Sequence, residues 1–117
     1  MKANVLKDKS FQFAIRIVNL YKYLAAEKNE YVLSKQLLRS GTAIGALQRE
    51  AEQAESKADF IHKLAIAQKE ANETIYWLEL LFKTEYINLS AFESMNKDAI
   101  ELLKLLTSII KSSKMNR

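Results

Sequence analysis

Apolar residues recur at steps of three and four along almost the whole chain, the spacing that puts them on one face of an α-helix. A first stripe runs through Phe11, Ala14, Ile17, Val18, Tyr21, Leu24 and Ala25, widened by Phe13 and Leu20. A second holds Leu37, Leu38, Ile44 and Ala51, and a third holds Phe60, Leu64, Ala67, Ala71, Thr74, Leu78 and Leu81. The last passes through Phe92, Met95, Ala99, Leu102, Leu106 and Ile109, with Leu103, Leu105 and Ile110 beside it. These stripes predict helices over about 5–27, 34–55, 57–84 and 90–113. Ser34, Ser56 and Ser90 are the expected N-caps, the last two followed three residues later by Asp59 and Glu93 as in a capping box. Short connections leave one economical arrangement, an all-α, antiparallel up-down-up-down four-helix bundle forming a single domain over 1–117.

The chain has two glycines and no proline, so little is available to shape hairpins. Both glycines, Gly41 and Gly45, fall four apart inside the second helical pattern, where each costs ~1 kcal/mol against alanine. A smooth strip of this kind calls for close approach of another helix, and the alanines of the third stripe are the expected partners. Counting levels from a turn at 55–56, Arg39 falls beside Glu73 and Glu50 beside His62, two polar pairs that fix the register of the hairpin.

Composition narrows the chemistry. Hydrophobic residues make up 49% and charged residues 27% of the 117, a globular balance. There is no cysteine and one histidine, so thiolate sites are excluded and a zinc site would rest on His62 with carboxylates alone. A di-iron bundle would need two Glu-x-x-His motifs, and His62 follows Asp59. The segment from Gly41 to Gly45 lacks the lysine and strand context of a phosphate loop. The expectation is a protein that is not an enzyme and has no cofactor. The amino terminus lacks the apolar core of a signal peptide and no stretch is long enough to span a membrane, so a cytoplasmic protein is expected.

The net charge is +4, and its excess lies at the two ends: residues 34–85 carry 7 basic and 8 acidic side chains, the flanking segments together 11 and 6. The first and last helices therefore offer a phosphate backbone Lys7, Lys9, Arg16, Lys22, Lys104, Lys111 and Lys114. The stripes on those same helices are broader than one bundle covers. Phe13, Leu20, Tyr23, Leu103, Leu105 and Ile110, lying off the main seams, are the expected contacts of a homo-oligomer.

The run QLLRSGTAIGALQREAEQAESKADFIHKLAIAQKEANETIYWLELL, Gln36 to Leu81, resembles the signature half of a bacterial family of four-helix bundle proteins, the 23S ribosomal RNA intervening-sequence proteins. The matching positions are Gln36, Leu37, Arg39, Ser40, Gly41, Ile44, Gly45, Ala46, Glu50 and Ala51; Ala43 and Leu47 depart from a pattern that more often has serine and asparagine there. The resemblance implies a compact antiparallel bundle that assembles as a homopentameric ring. A related branch, the accessory proteins of diversity-generating retroelements, is a basic pentamer that partners a reverse transcriptase and nucleic acid. Two functions stay open: an oligomeric adaptor that binds RNA or a nucleoprotein through its first and last helices, and a protein-binding or structural assembly with no nucleic-acid role. Salt dependence separates them, because displacing counterions from phosphates makes affinity fall steeply with salt.

Overall fold

The four stripes close on one another in a computed structural model that describes residues 1–116. The helices are α1 (Lys2–Lys28), α2 (Leu33–Glu52), α3 (Lys57–Lys83) and α4 (Leu89–Met115), and no strand occurs among the described residues. The last helix, expected to end near residue 113, continues to Met115; the final residue, Arg117, lies outside the described residues. α2 packs on α1 and α3, α4 packs on α3, and α1 meets α4, so each helix has two neighbours. Lys2, Lys9 and Arg16 of α1 reach Ser108, Glu101 and Asp98 of α4, and Arg39 and Glu50 of α2 reach Glu73 and Lys63 of α3. In each series the residue number on one helix rises as its partner's falls.

One core runs the length of the four helices. Leu6, Phe13, Ile17 and Leu24 of α1 join Leu37 and Ile44 of α2, Leu64, Leu78 and Leu81 of α3, and Leu102 and Leu106 of α4. Each such side chain, fully withdrawn from water, contributes ~1.5–3 kcal/mol. The α1 seam is rotated from its expected position. Ser10 is buried in line with Leu6, Phe13 and Ile17, while Phe11, two positions from Phe13 and so about 200° around the helix, is half exposed.

Ser10 is buried because it faces Gly45. A Cβ on Gly45 would lie 3.4 Å from the carbonyl oxygen and hydroxyl of Ser10, and a Cβ on Gly41 would lie 2.7 to 2.9 Å from Cγ1, Cδ1 and Cγ2 of Ile17. The glycine strip therefore receives α1, and the alanines of α3 are not its partners. Toward α3 the same helix presents Ser40, whose hydroxyl lies 2.9 Å from that of Thr74; both residues are buried. Thr74 also donates to the Glu70 carbonyl at 2.7 Å, which keeps the buried polar pair satisfied.

Neither glycine makes a turn. The α1–α2 connection reverses at Asn29, left-handed at φ 52°, and the Glu30 amide donates to the Leu24 carbonyl at 3.0 Å. The α3–α4 connection uses Glu85 at φ 68°. Two of the three expected caps move. Ser34 lies inside α2, buried, and the cap is the Glu30 carboxylate, which accepts from the amides of Val32, Leu33 and Ser34 at 3.1, 3.0 and 2.7 Å. At α4 the cap is Asn88, accepting from the Ala91 amide at 2.8 Å, in place of Ser90. Ser56 does cap α3, accepting from the Asp59 amide at 3.0 Å, while the Asp59 carboxylate accepts from the Glu55 amide at 3.2 Å.

Candidate nucleic-acid interface

The outward face of α4 carries Lys97, Lys104 and Lys111 at intervals of seven residues, which keeps them within about 20° of one line per step. All three are exposed, and none is in an ion pair among the described residues. They span about 21 Å of helix. Beside the first two lies a shallow groove of about 580 Å³ with Phe92, Asn96 and Ile100 along it and Glu93 and Glu101 at its edges. The Asn96 Oδ1 is withdrawn from solvent there and has no hydrogen-bond partner among the described residues.

The expected phosphate contacts divide into two sets. Lys7 pairs with Glu52 at 3.3 Å, Lys9 with Glu101 at 2.9 Å, and Arg16 with Asp98 while its other nitrogen donates to the Ser94 hydroxyl at 2.7 Å. Their charges are balanced locally by the neighbouring helices, which the one-dimensional charge count did not reveal. Lys22, Lys104, Lys111 and Lys114 are exposed and outside such pairs among the described residues. Lys97 was not among the expected contacts, although its spacing of seven from Lys104 is visible in the sequence.

Arg39 does meet Glu73, and also donates to Glu70 at 3.1 Å and Gln36 at 3.2 Å; the Trp77 indole N–H closes the cluster on Glu73 at 2.8 Å. Glu50 does not meet His62. Its carboxylate accepts from Lys63 at 3.1 Å, and His62 is exposed. The Arg39–Glu73 level is kept, while nearer the connection at residues 53–56 Glu50 meets Lys63, the residue after the expected one.

The expected subunit contacts fare unevenly. Phe13 and Ile110 are core, and Leu20, Leu103 and Leu105 are partly buried against it. Tyr23 alone is exposed, and its ring helps line a cavity of about 370 Å³ under the α3–α4 connection, with Lys28, Phe82, Glu85, Tyr86, Ile87 and Asn88. The apolar surface of α1 lies elsewhere. Outward positions Val5, Asp8, Phe11, Gln12, Ile15 and Asn19 are all exposed, with Asp8 the single charge among them. Between Phe11 and α2 a smaller groove of about 240 Å³ runs past Ala14, Thr42, Gly45 and Ala46, and the Arg49 guanidinium stands 5.3 Å over the Phe11 ring. Among the described residues no three His, Asp or Glu side chains are grouped to hold a metal ion, and no helix is long and apolar enough to cross a membrane.

A crystal structure of a protein of unknown function from the S23 ribosomal protein family of Bacteroides thetaiotaomicron is similar throughout: 68% identical, covering 95% of this chain and 99% of the other, with a TM-score of 0.94. No curated protein matches the chain. The family model of the 23S rRNA-intervening sequence proteins matches residues 2–108, the four helices nearly entire, and the chain belongs to the 23S rRNA-intervening sequence protein family.

Proposed function

We propose that the chain is a non-enzymatic, self-associating adaptor that holds RNA, or RNA within a nucleoprotein, along the outward face of α4. The observation that carries this reading is the row of Lys97, Lys104 and Lys111, three exposed ammonium groups on one line and outside the ion pairs of the described residues. A flexible ammonium is a point charge suited to phosphate, and a row of them follows a backbone without reading its sequence. The falling and rising numbers of the interhelix pairs support the antiparallel up-down-up-down arrangement, which exposes α1 and α4 along their full lengths. Assembly into a ring, five-membered by family resemblance, would repeat the α4 row around one body and add weak contacts through multivalency.

A second reading, a protein-binding or structural assembly with no nucleic acid, is favoured by the nearly uncharged outward face of α1, from Val5 to Asn19. Salt separates the two. Binding of a labelled single-stranded RNA, measured from 50 to 200 mM salt, should weaken with a log–log slope that becomes less steep by ~2 when all three lysines are replaced by glutamine, since each phosphate contact on a single strand contributes ~0.7. A wild-type slope near zero, or one unchanged in the triple variant, overturns the RNA reading.

A further inference from the structure

The cavity beneath the α3–α4 connection combines features that the phosphate row does not use. Tyr23 and Tyr86 supply aromatic rings from α1 and from the connection, and Phe82 closes the wall, its own ring stacked on Phe92 at 4.9 Å and 13°. Tyr23 is 43% exposed, so its ring is presented to solvent although it belongs to a cavity of about 370 Å³, within the range of small-molecule sites. The Lys28 ammonium stands 6.0 Å from the Tyr23 ring centroid, and Lys28 is outside the ion pairs of the described residues. Glu85 lines the same space and is held at φ 68°, left-handed for a residue with a Cβ, a conformation that costs free energy.

An aromatic platform, a cation over one of its faces and a carboxylate acceptor are together the requirements of an unstacked nucleobase. The base lies on the ring, its phosphate meets the cation, and an exocyclic amino group donates to the carboxylate. We propose that this cavity is a nucleotide subsite that takes one base from single-stranded RNA, with Tyr23 stacking, Lys28 on the adjoining phosphate and Glu85 accepting from an amino-bearing base. The Phe82–Phe92 stack joins the cavity to the groove that contains Phe92 and Lys97. Lys97 follows Asn88 by nine residues, about 14 Å along α4, so the strand leaving the subsite meets the lysine row. The subsite rests on the RNA reading above and adds to it a preference for unpaired bases, which a row of charges alone would not have.

The test uses the full chain and fluorescence anisotropy with labelled 12-nucleotide oligo(rC), oligo(rU) and an RNA duplex at 50 mM salt, for the wild type and for Tyr23→Leu, Lys28→Gln, Glu85→Gln and the triple lysine variant. Tyr23 is exposed, so its substitution leaves the core intact, and circular dichroism checks this. The expected result is tighter wild-type binding of oligo(rC) than of oligo(rU) or duplex. Tyr23→Leu should lose between about 5- and 150-fold on oligo(rC), the range carried by one aromatic–base stack, with duplex binding unchanged. Glu85→Gln should reduce the preference for rC over rU, and Lys28→Gln should weaken both single strands. If Tyr23→Leu leaves oligo(rC) binding unchanged, or weakens single strand and duplex alike, the subsite is overturned, while a loss on every RNA in the triple lysine variant keeps the phosphate row. If the wild type binds none of the three RNAs, both proposals fall together.

Discussion

Ile17 of α1 occupies the space that a side chain on Gly41 of α2 would need. All three outer carbons of the isoleucine lie within 2.7 to 2.9 Å of the missing Cβ position, and Ile17 itself has no exposed surface. Gly45, one turn on, differs: its nearest neighbours, the Ser10 carbonyl and hydroxyl at 3.4 Å, leave room for a methyl group in ordinary contact.

The two glycines should therefore respond oppositely to alanine. Gly45→Ala gains helix propensity with little crowding and should stabilise by up to ~1 kcal/mol. Gly41→Ala gains the same propensity but must displace a β-branched side chain that has one strongly preferred rotamer in a helix, and overpacking of that kind costs ~1–3 kcal/mol, so a net loss is expected. Gly41→Leu should lose more. Urea midpoints of the three variants check this, and a Gly41→Ala protein more stable than Gly45→Ala would refute the assignment of α1 as the partner.

The periodicity of apolar residues made the four helices legible to within about three residues at each end, because a stripe of that length tolerates no other element. Its rotation was harder to read. On α1 the core line passes through Ser10, a polar residue that breaks the apolar pattern and is buried only because Gly45 stands opposite. With Ser10 set aside, Phe11 took the place in the seam that belongs to Phe13, and the exposed and buried aromatics were exchanged. The caps show a similar limit. Ser, Asp and Asn are the usual N-cap residues, so Ser34 outranked Glu30, whose longer side chain reaches three amides only when Asn29 turns the chain left-handed. Pairing of Lys9 with Glu101 or Arg16 with Asp98 requires knowing which sides of α1 and α4 face each other, which charge counts do not contain.

Acid should act on the Glu30 cap. Burial of Glu30 by itself raises the carboxyl pKa, but the amides of Ser34, Leu33 and Val32 outweigh it and leave the folded value below 4.5. A depressed folded pKa contributes stability that is fully present above the unfolded value and is lost as pH falls through the folded one. Melting temperature should thus decline below about pH 4.5 partly through this group, the ordinary glutamate value being near there. Glu30→Gln keeps one acceptor and loses the charge, costing ~1–2 kcal/mol at pH 7 and showing a smaller decline between pH 5 and 3 than the wild type. Parallel declines in the two proteins would remove the cap from the account.

The Arg39 cluster invites a double-mutant cycle. Arg39 and Glu73 are 49% and 35% exposed at their side chains, so solvent screening holds the pair near the range of surface ion pairs, ~0.2–1 kcal/mol, raised by the shared bonds to Glu70 and Trp77. A coupling of ~0.5–1 kcal/mol between Arg39→Ala and Glu73→Ala is expected from urea unfolding. Trp77 is the one tryptophan, and Glu73→Ala removes the acceptor of its indole N–H, so the emission maximum should shift as well. Zero coupling with an unshifted spectrum would leave the cluster without energetic weight.

Self-association is the expectation that the rotated α1 seam changes most. Phe13 is buried, so Phe13→Ala should cost ~3–5 kcal/mol of fold stability and says nothing about an interface. Phe11 and Ile15 stand one turn apart on the outward face, 50% and 42% exposed, beside Gln12 and Asn19 and away from the lysine row of α4. Contiguous apolar surface with little charge is what the centre of a subunit contact requires. A closed ring needs this face to meet a different surface on the next copy. Sedimentation at micromolar concentration should therefore give a mass well above the 13.4 kDa of one chain. Replacing Phe11 by serine and Ile15 by aspartate should bring the mass to that of one chain while helical content is retained, because substitutions at such exposed positions change stability by only about 0.5 kcal/mol. The same double variant should lose the part of RNA affinity that comes from repetition of the α4 row, yet keep its salt slope per chain. A wild-type protein sedimenting as a single chain would end the ring reading, and an assembled Phe11/Ile15 double variant would move the contact off α1.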